Sequence, residues 1–194
     1  MKQKFAIVIE PSEELSKEIS EIKQRFKDYS INDYIDHPNH LTLLHGYFEE
    51  NDLIKVLENF IFKEIEISTN KIECFENDLL TDSKTLFLSI QPQKELIDLQ
   101  LRLIEILKDY IDNNDLETLF LPETNYGKNL NIYNYPYVGS DWIPHFTICS
   151  LENIDSTEYK KTINKQITKT FKVNKIIIFK VNNSEHLKIA QISS

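Results

Sequence analysis

The sequence predicts an α+β fold made of two matching β-α-β-α-β halves, with antiparallel-rich sheets around a central cleft. Two observations predict it. The pattern Ile-x-Pro-x-x-Glu-Leu occurs twice, over residues 9–15 and 90–96, each time where an apolar run passes into a helical pattern. The tripeptide His-x-Thr also occurs twice, at residues 40–42 and 145–147, inside apolar runs. Such a duplication implies pseudo-two-fold symmetry, in which equivalent positions of the two lobes face each other across the cleft.

The first lobe is expected over about residues 1–80. An apolar strand over residues 5–9 leads to a helix that Pro11 and Ser12 open, and its apolar residues recur with the helical period. The pattern then predicts a strand from His40 to Phe48, a helix that Asn51 or Asp52 caps, and a long alternating strand from Ile65 to Phe75.

The second lobe, over about residues 81–194, repeats this order. Strands are predicted over residues 86–90 and 143–150, with a helix that begins at Pro92 and Gln93 between them. A further helix starts near Asp155, which forms a capping box with Glu158, and strands near residues 171–181 and 186–192 end the chain.

An insertion near residues 113–141 distinguishes the second lobe from the first. Ile9 and His40 are 31 positions apart, whereas Ile90 and His145 are 55 apart, so roughly 24 residues are extra. Long irregular segments beside a site often bind ligands, although some are surface excursions without a function.

Composition limits the partners. The 194 residues suit a single bilobal domain, and 41% hydrophobic residues suffice for a packed core. A net charge of −9 with only two arginines argues against extended duplex nucleic acid and favours a small nucleotide or an RNA terminus. No apolar run is long enough for a membrane span or a signal peptide. Two cysteines make no disulfide framework, so we expect a cytoplasmic protein, and we expect a monomer.

The two tripeptides carry the chemistry. On a strand, residues i and i+2 point to the same face, so His40 lies beside Thr42 and His145 beside Thr147. Brought together, two imidazoles and two hydroxyls can act on a phosphate ester, because imidazole both takes up and releases protons near neutral pH. Threonine hydroxyls can donate hydrogen bonds to phosphate oxygens.

At these residues the chain resembles the two-histidine (2H) phosphoesterases, which include 2′–5′ RNA ligase-like proteins and cyclic nucleotide phosphodiesterases. The motifs are HLTL at 40–43 and HFTI at 145–148, the second after Pro144. The resemblance implies a phosphodiesterase that hydrolyses a 2′,3′-cyclic phosphate or a 2′-linked phosphodiester, with no cofactor and no metal. His40 and His145 would be the acid–base pair, and Thr42 and Thr147 would bind phosphate. His45-Gly46 departs from the residues that relatives often carry after the motif.

Other functions remain open at this point. The same family suggests 2′–5′ RNA ligation or hydrolysis of a cyclic oligonucleotide, and a non-catalytic nucleotide-binding module would need the same cleft. The sequence does not fix which histidine is the acid and which is the base.

Several other residues are candidates. Aromatic residues of the insertion can stack on a nucleobase or anchor the insertion: Tyr133, Tyr135, Tyr137 and Trp142. His37, His40 and His45 have a spacing that metal sites use, but strand alternation turns His45 away from His40, so we predict no metal site there. Cys149 shares the alternation of His145 and Thr147 and could line the cleft, but we expect it to be a buried small hydrophobic residue. His186 is expected as an exposed or strand-edge residue.

Overall fold

The computed structural model describes residues 1–113, 116, 118–152, 157–182 and 185–194. The strands are β1 (Gln3–Ile9), β2 (Leu41–Phe48), β3 (Ile65–Asp78), β4 (Ser83–Ile90), β5 (His145–Leu151), β6 (Thr170–Val173), β7 (Lys175–Asn182) and β8 (Glu185–Ser193). The helices are α1 (Glu13–Arg25), α2 (Glu50–Leu57), α3 (Lys94–Leu107), α4 (Asn125–Tyr133) and α5 (Thr157–Thr162). Among these helices, none is both long and apolar enough to cross a lipid bilayer.

The strands form one curled antiparallel sheet in the order β6-β3-β4-β5-β2-β1-β7-β8. Its two halves meet where β2 pairs with β5 through Leu41 and Phe146. The predicted α+β class is confirmed, and the strand order is pseudo-symmetric about this junction. Each repeat gives its third long strand to the other half, because β3 pairs with β4 and β7 pairs with β1. A lobe boundary near residue 80 therefore matches the sequence repeat but separates β3 from β4, the strand with which it pairs.

Local chemistry explains most of the boundaries. The Ser12 hydroxyl caps α1 by accepting a hydrogen bond from the Leu15 amide at 3.3 Å, as the sequence predicts. Helix α2 begins earlier than predicted, at Glu50, and the residue at its cap makes no side-chain hydrogen bond. The single strand predicted over residues 171–181 is two strands, β6 and β7, separated at Asn174. The predicted capping residue Asp155 lies outside the described residues.

The main hydrophobic core lies on one face of the sheet, where α1 and α3 pack. The insertion is part of this core. The buried Gln100 of α3 donates hydrogen bonds to the carbonyls of Leu43 (3.3 Å) and Tyr137 (2.7 Å), and its side-chain oxygen accepts one from the Gly139 amide. One amide side chain thus joins α3, β2 and the insertion. The opposite face carries a smaller apolar cluster that contains Ala6 and Val8.

Candidate active site

Each His-x-Thr motif is followed by a β-bulge at the same position. Strand β1 pairs with Thr42 and then with Leu44, so Leu43 has no partner, and the register shifts there. Strand β4 pairs with Thr147 and then with Cys149, so Ile148 is the extra residue. A bulge of this kind reverses the alternation of faces along the strand. The matching bulges confirm that the two motifs occupy equivalent places in the two halves of the sheet.

The four motif side chains lie on the face opposite the main core. Leu41 and Phe146, the pair that joins the half-sheets, are both buried in that core. Their neighbours at 40, 42, 145 and 147 therefore point the other way. Continuing the register by one residue puts Thr42 opposite His145 and His40 opposite Thr147. Opposite Cα atoms in antiparallel strands are about 4.5–5.5 Å apart, so the four side chains form one group on this face.

The two histidines are held in the same way. Nδ1 of His40 lies 2.7 Å from the Pro38 carbonyl oxygen, and Nδ1 of His145 lies 2.7 Å from the Ile143 carbonyl oxygen. Because a carbonyl only accepts, each Nδ1 must carry the proton. In the neutral rings Nε2 then has a free lone pair, which is the form that can take up a proton from a substrate.

The charges around the two rings differ. Burial and the nearby positive charges of His186, Lys23 and His37 together lower the pKa of His40 to about 3, although the hydrogen bond to the Pro38 carbonyl raises it. Burial also lowers the pKa of His145, but there the Asp78 carboxylate acts in the opposite direction and favours the protonated ring. His40 is therefore neutral at pH 7, and the charged form is favoured more at His145 than at His40.

The packing around the rings differs as well. The His145 ring contacts Phe87 and Phe75, with ring centroids 5.0 and 5.2 Å away. The His40 ring has one phenylalanine near it, Phe179 at 6.2 Å, and a histidine, His186, at 5.4 Å. The half of the site around His145 is therefore aromatic and apolar, whereas the half around His40 is rich in imidazole.

The two threonine hydroxyls are available to a ligand. Thr42 and Thr147 are half-buried, and neither side chain is hydrogen-bonded to another described residue. A hydroxyl that the fold does not use can donate to a phosphate oxygen without breaking an existing bond.

The aromatic residues of the insertion mostly have packing roles. Tyr135 and Trp142 are buried in the main core, so their rings cannot stack on a base without unpacking it. Tyr133 lies beside Lys108 at the end of α3. Tyr137 is half-buried and packs against Tyr135. Tyr135 and Trp142 therefore fit the alternative prediction, that the aromatic residues anchor the insertion.

The bulges change two expectations that rested on strict alternation. His45 was expected to point away from His40. In the structure His45 pairs with Ala6 and Thr42 pairs with Val8, and Ala6 and Val8 lie in the same apolar cluster on one face of the sheet. The register therefore puts His45 on the face of Thr42, and its ring centroid lies 5.5 Å from that of Tyr135, a residue of the main core. Strict alternation would also put Cys149 on the face of Thr147, but the bulge at Ile148 turns it into the main core, where a buried small hydrophobic residue was expected, and burial raises the pKa of its thiol to about 12. Within the described residues, no group of three His, Cys, Asp or Glu side chains is arranged to hold a metal ion.

Sequence reasoning missed several residues beside the motifs. Phe75 and Phe179 occupy equivalent positions in the two halves. Phe179 pairs with Ala6, the partner of His45, and Phe75 pairs with Thr85, the partner of Ser150. His45 and Ser150 each lie three residues after a motif threonine. His186 was recognised as a strand-edge residue only, although β8 brings its ring to His40. The exchange of third strands between the halves, which the sequence does not show, places these residues.

Comparisons with known proteins agree with this fold. The family model described as the 2′-5′ RNA ligase superfamily matches residues 11–185. Among solved structures, the chain is similar to E. coli LigT complexed with 3′-AMP, with 13% identity, a TM-score of 0.63, and coverage of 99% of this chain and 97% of that chain. It is also similar to TT0787 of Thermus thermophilus, with 14% identity, a TM-score of 0.60, and coverage of 100% and 97%. A search of curated proteins gives no match.

Proposed function

Because this chain belongs to the 2′-5′ RNA ligase superfamily, we propose that it is a metal-independent phosphodiesterase that hydrolyses a 2′,3′-cyclic phosphate or a 2′-linked phosphodiester of a nucleotide or RNA end. The family supports a phosphodiesterase-type enzyme in general. The observation that carries the finer proposal is the register of β2 and β5, which puts two histidines and two threonines on one face around the Leu41–Phe146 pair.

The reaction needs a base, an acid and a phosphate-binding group. His40 takes a proton from water at Nε2 while the water oxygen bonds to phosphorus. The bond between phosphorus and the departing ribose oxygen breaks, and His145 gives that oxygen a proton from its own Nε2. Thr42 and Thr147 donate hydrogen bonds to the non-bridging oxygens, where negative charge accumulates. The products are a phosphate monoester and a free ribose hydroxyl.

The charges around the rings support this assignment of roles. His40 is kept neutral by burial and by the positive charges near it, and a neutral ring is what a general base requires. Burial lowers the pKa of His145, but the hydrogen bond to the Ile143 carbonyl and the Asp78 carboxylate act against it and favour the protonated form, which a general acid requires. A bound phosphate adds negative charge between the rings and favours protonation of His145 further.

A small nucleotide is the substrate class that fits best. The similar fold of E. coli LigT has been solved with 3′-AMP, ATP and NADP+, with TM-scores of 0.63, 0.56 and 0.56. The net charge of −9 disfavours a long polyanion as the partner. We infer that this chain takes a nucleotide or an RNA end into the site.

The test is an assay of the purified chain with a chelator present. The panel consists of the four 2′,3′-cyclic mononucleotides, 2′–5′ dinucleotides and cyclic dinucleotides. We expect turnover of at least one cyclic mononucleotide or 2′–5′ dinucleotide, and a loss of at least about 10²-fold in kcat/KM for His40→Ala and for His145→Ala. His45→Ala, which removes a histidine of the same face outside the motifs, is the matched control.

Each alternative gives its own result. Joining of RNA ends with 2′,3′-cyclic phosphate and 5′-hydroxyl termini would identify a ligase, and turnover of cyclic dinucleotides alone would identify a signal hydrolase. Binding without turnover, with an affinity that both alanine variants change only modestly, would identify a non-catalytic nucleotide-binding module and contradict the proposal.

A further inference from the structure

Three histidine rings from two distant segments form a cluster at one end of the site. The ring centroids of His37 and His186 are 4.5 Å apart, and those of His186 and His40 are 5.4 Å apart. His37 comes from the loop before β2, and His186 comes from the edge strand β8. Phe179 of β7 packs against His186 at 5.6 Å and so supports this cluster from the sheet.

The cluster brings imidazoles, which donate hydrogen bonds and carry positive charge when protonated, together on the His40 side of the site. Both arginines of the chain are engaged elsewhere, since Arg25 lies 4.0 Å from Glu158 and Arg102 donates to the Ile61 carbonyl. Lys23 is buried nearby, but its Nζ donates to the carbonyls of Tyr34 and His37. Lys23 therefore holds the loop of His37 in place. The basic groups left beside the His40 ring are the imidazoles of His37 and His186.

The opposite end of the site has a different character. His145 is flanked by Phe75 and Phe87, whose rings stack on each other with centroids 4.1 Å apart. The charged group that raises the pKa of His145 is the Asp78 carboxylate, and its negative charge repels an anion. An extra phosphate on the substrate is therefore favoured at the His40 end and disfavoured at the His145 end.

We propose that His37 and His186 form a second phosphate-binding subsite next to His40. The substrate class is then a nucleotide that carries a second phosphate in addition to the cyclic or 2′-linked phosphate that is cleaved. This inference rests on the proposed function for the position of the first phosphate. Imidazole N–H groups donate to the second phosphate, and protonated rings add an electrostatic attraction.

The surroundings favour one additional phosphate over a longer strand. Beyond His37 lies a groove of about 800 Å³ with four lysines among its lining residues, Lys17, Lys23, Lys27 and Lys175. Carboxylates of Glu10, Glu13 and Asp36 line the same groove, and Lys175 is paired with Glu10 at 3.3 Å. Because these charges are mixed, the groove offers little net attraction to a continuing polyanion.

The experiment compares ligands that differ only by the second phosphate. Dissociation constants for adenosine 2′-phosphate and adenosine 2′,5′-bisphosphate are measured by calorimetry, and kcat/KM is measured for adenosine 2′,3′-cyclic phosphate with and without a 5′-phosphate. We expect the wild-type chain to prefer the second phosphate by about 10-fold or more, as a charge-assisted hydrogen bond provides. His186→Gln and His37→Gln should each lose most of that preference, and His186→Lys should keep it.

Lys172→Gln is the control, because it removes a cation that pairs with Glu64 at the far edge of the sheet. Its preference should equal that of the wild type. A wild-type preference below about 2-fold, or one that survives in both glutamine variants, overturns the subsite. Circular dichroism spectra that match the wild type establish that each variant is folded. Absence of turnover with an intact binding preference would contradict the proposed function and still support the subsite.

Discussion

Leu41 of β2 pairs with Phe146 of β5, and this one pair joins the two halves of the sheet. Both side chains are buried on the core face, at 1% and 0% exposure. The residues on either side of each are a histidine and a threonine, so the junction of the halves is also the centre of the site. The duplication thus explains the position of the candidate site, because a pseudo-two-fold relation across this pair brings two copies of one motif next to each other.

Replacing the motif threonines should reduce activity without unfolding the protein. Thr42→Val and Thr147→Val keep the shape and remove a hydroxyl that makes no hydrogen bond within the described structure. A hydrogen bond to a charged group contributes about 1.5–3 kcal/mol, so kcat/KM should fall roughly 10- to 100-fold for each. Thr42→Ser and Thr147→Ser should retain most activity. Valine variants with wild-type kinetics would remove the threonines from the phosphate site.

Much of the architecture could be predicted from the sequence because it depends on local residue patterns. The apolar period places α1 and α3, and Ser12 caps α1 where its residue type predicts. The motif positions follow from the repeat, since duplicated sequence implies duplicated structure. These features depend on residues close together in the chain, which is why they can be read without coordinates.

The remainder depends on pairing between distant segments. Strict alternation put Cys149 on the face of Thr147 and His45 on the face opposite Thr42, and the bulges at Leu43 and Ile148 reverse both. A bulge leaves no clear pattern in a continuous apolar run, so the sequence alone does not reveal it. In the same way, the approach of His186 to His40 requires β7 to pair with β1, an exchange that the order of elements does not dictate.

Acidification should destabilise the fold through two half-buried histidines. Burial lowers the pKa of His40 to about 3 and that of His45 to about 4, whereas both titrate near about 6.5 in an unfolded chain. Below that value the unfolded chain binds more protons, so the free energy of unfolding should fall as the pH decreases toward about 4. Urea unfolding between about pH 7.5 and about pH 5 measures this, and His45→Gln should show a shallower fall. Equal slopes for variant and wild type would contradict a neutral His45 in the folded protein.

Gly127 should not tolerate a side chain. A Cβ there would collide with the Leu121 carbonyl oxygen and come within 2.8 Å of the Pro122 Cα, and backbone atoms cannot turn aside as a side chain can. Gly127→Ala should therefore cost about 1–3 kcal/mol in the free energy of unfolding. Asn131→Ala, at an exposed position of the same helix, should change it by less than about 0.5 kcal/mol. A neutral Gly127→Ala would mean that the insertion is packed less tightly than its contacts indicate.

The roles of the two histidines can be separated by changing the leaving group. A ribose hydroxyl needs a proton as it departs, whereas 4-nitrophenol leaves readily as the anion and needs none. If His145 is the acid, His145→Ala should lose at least about 10²-fold in kcat on a 2′,3′-cyclic nucleotide and much less on a 4-nitrophenyl phosphodiester. His40→Ala should be impaired on both, because the attacking water must lose its proton in either case. The readout is the ratio of the two rates in each variant, measured at one pH. If the 4-nitrophenyl substrate restored the activity of His40→Ala and not that of His145→Ala, the assignment of acid and base that the Asp78 and His186 charges support would be reversed.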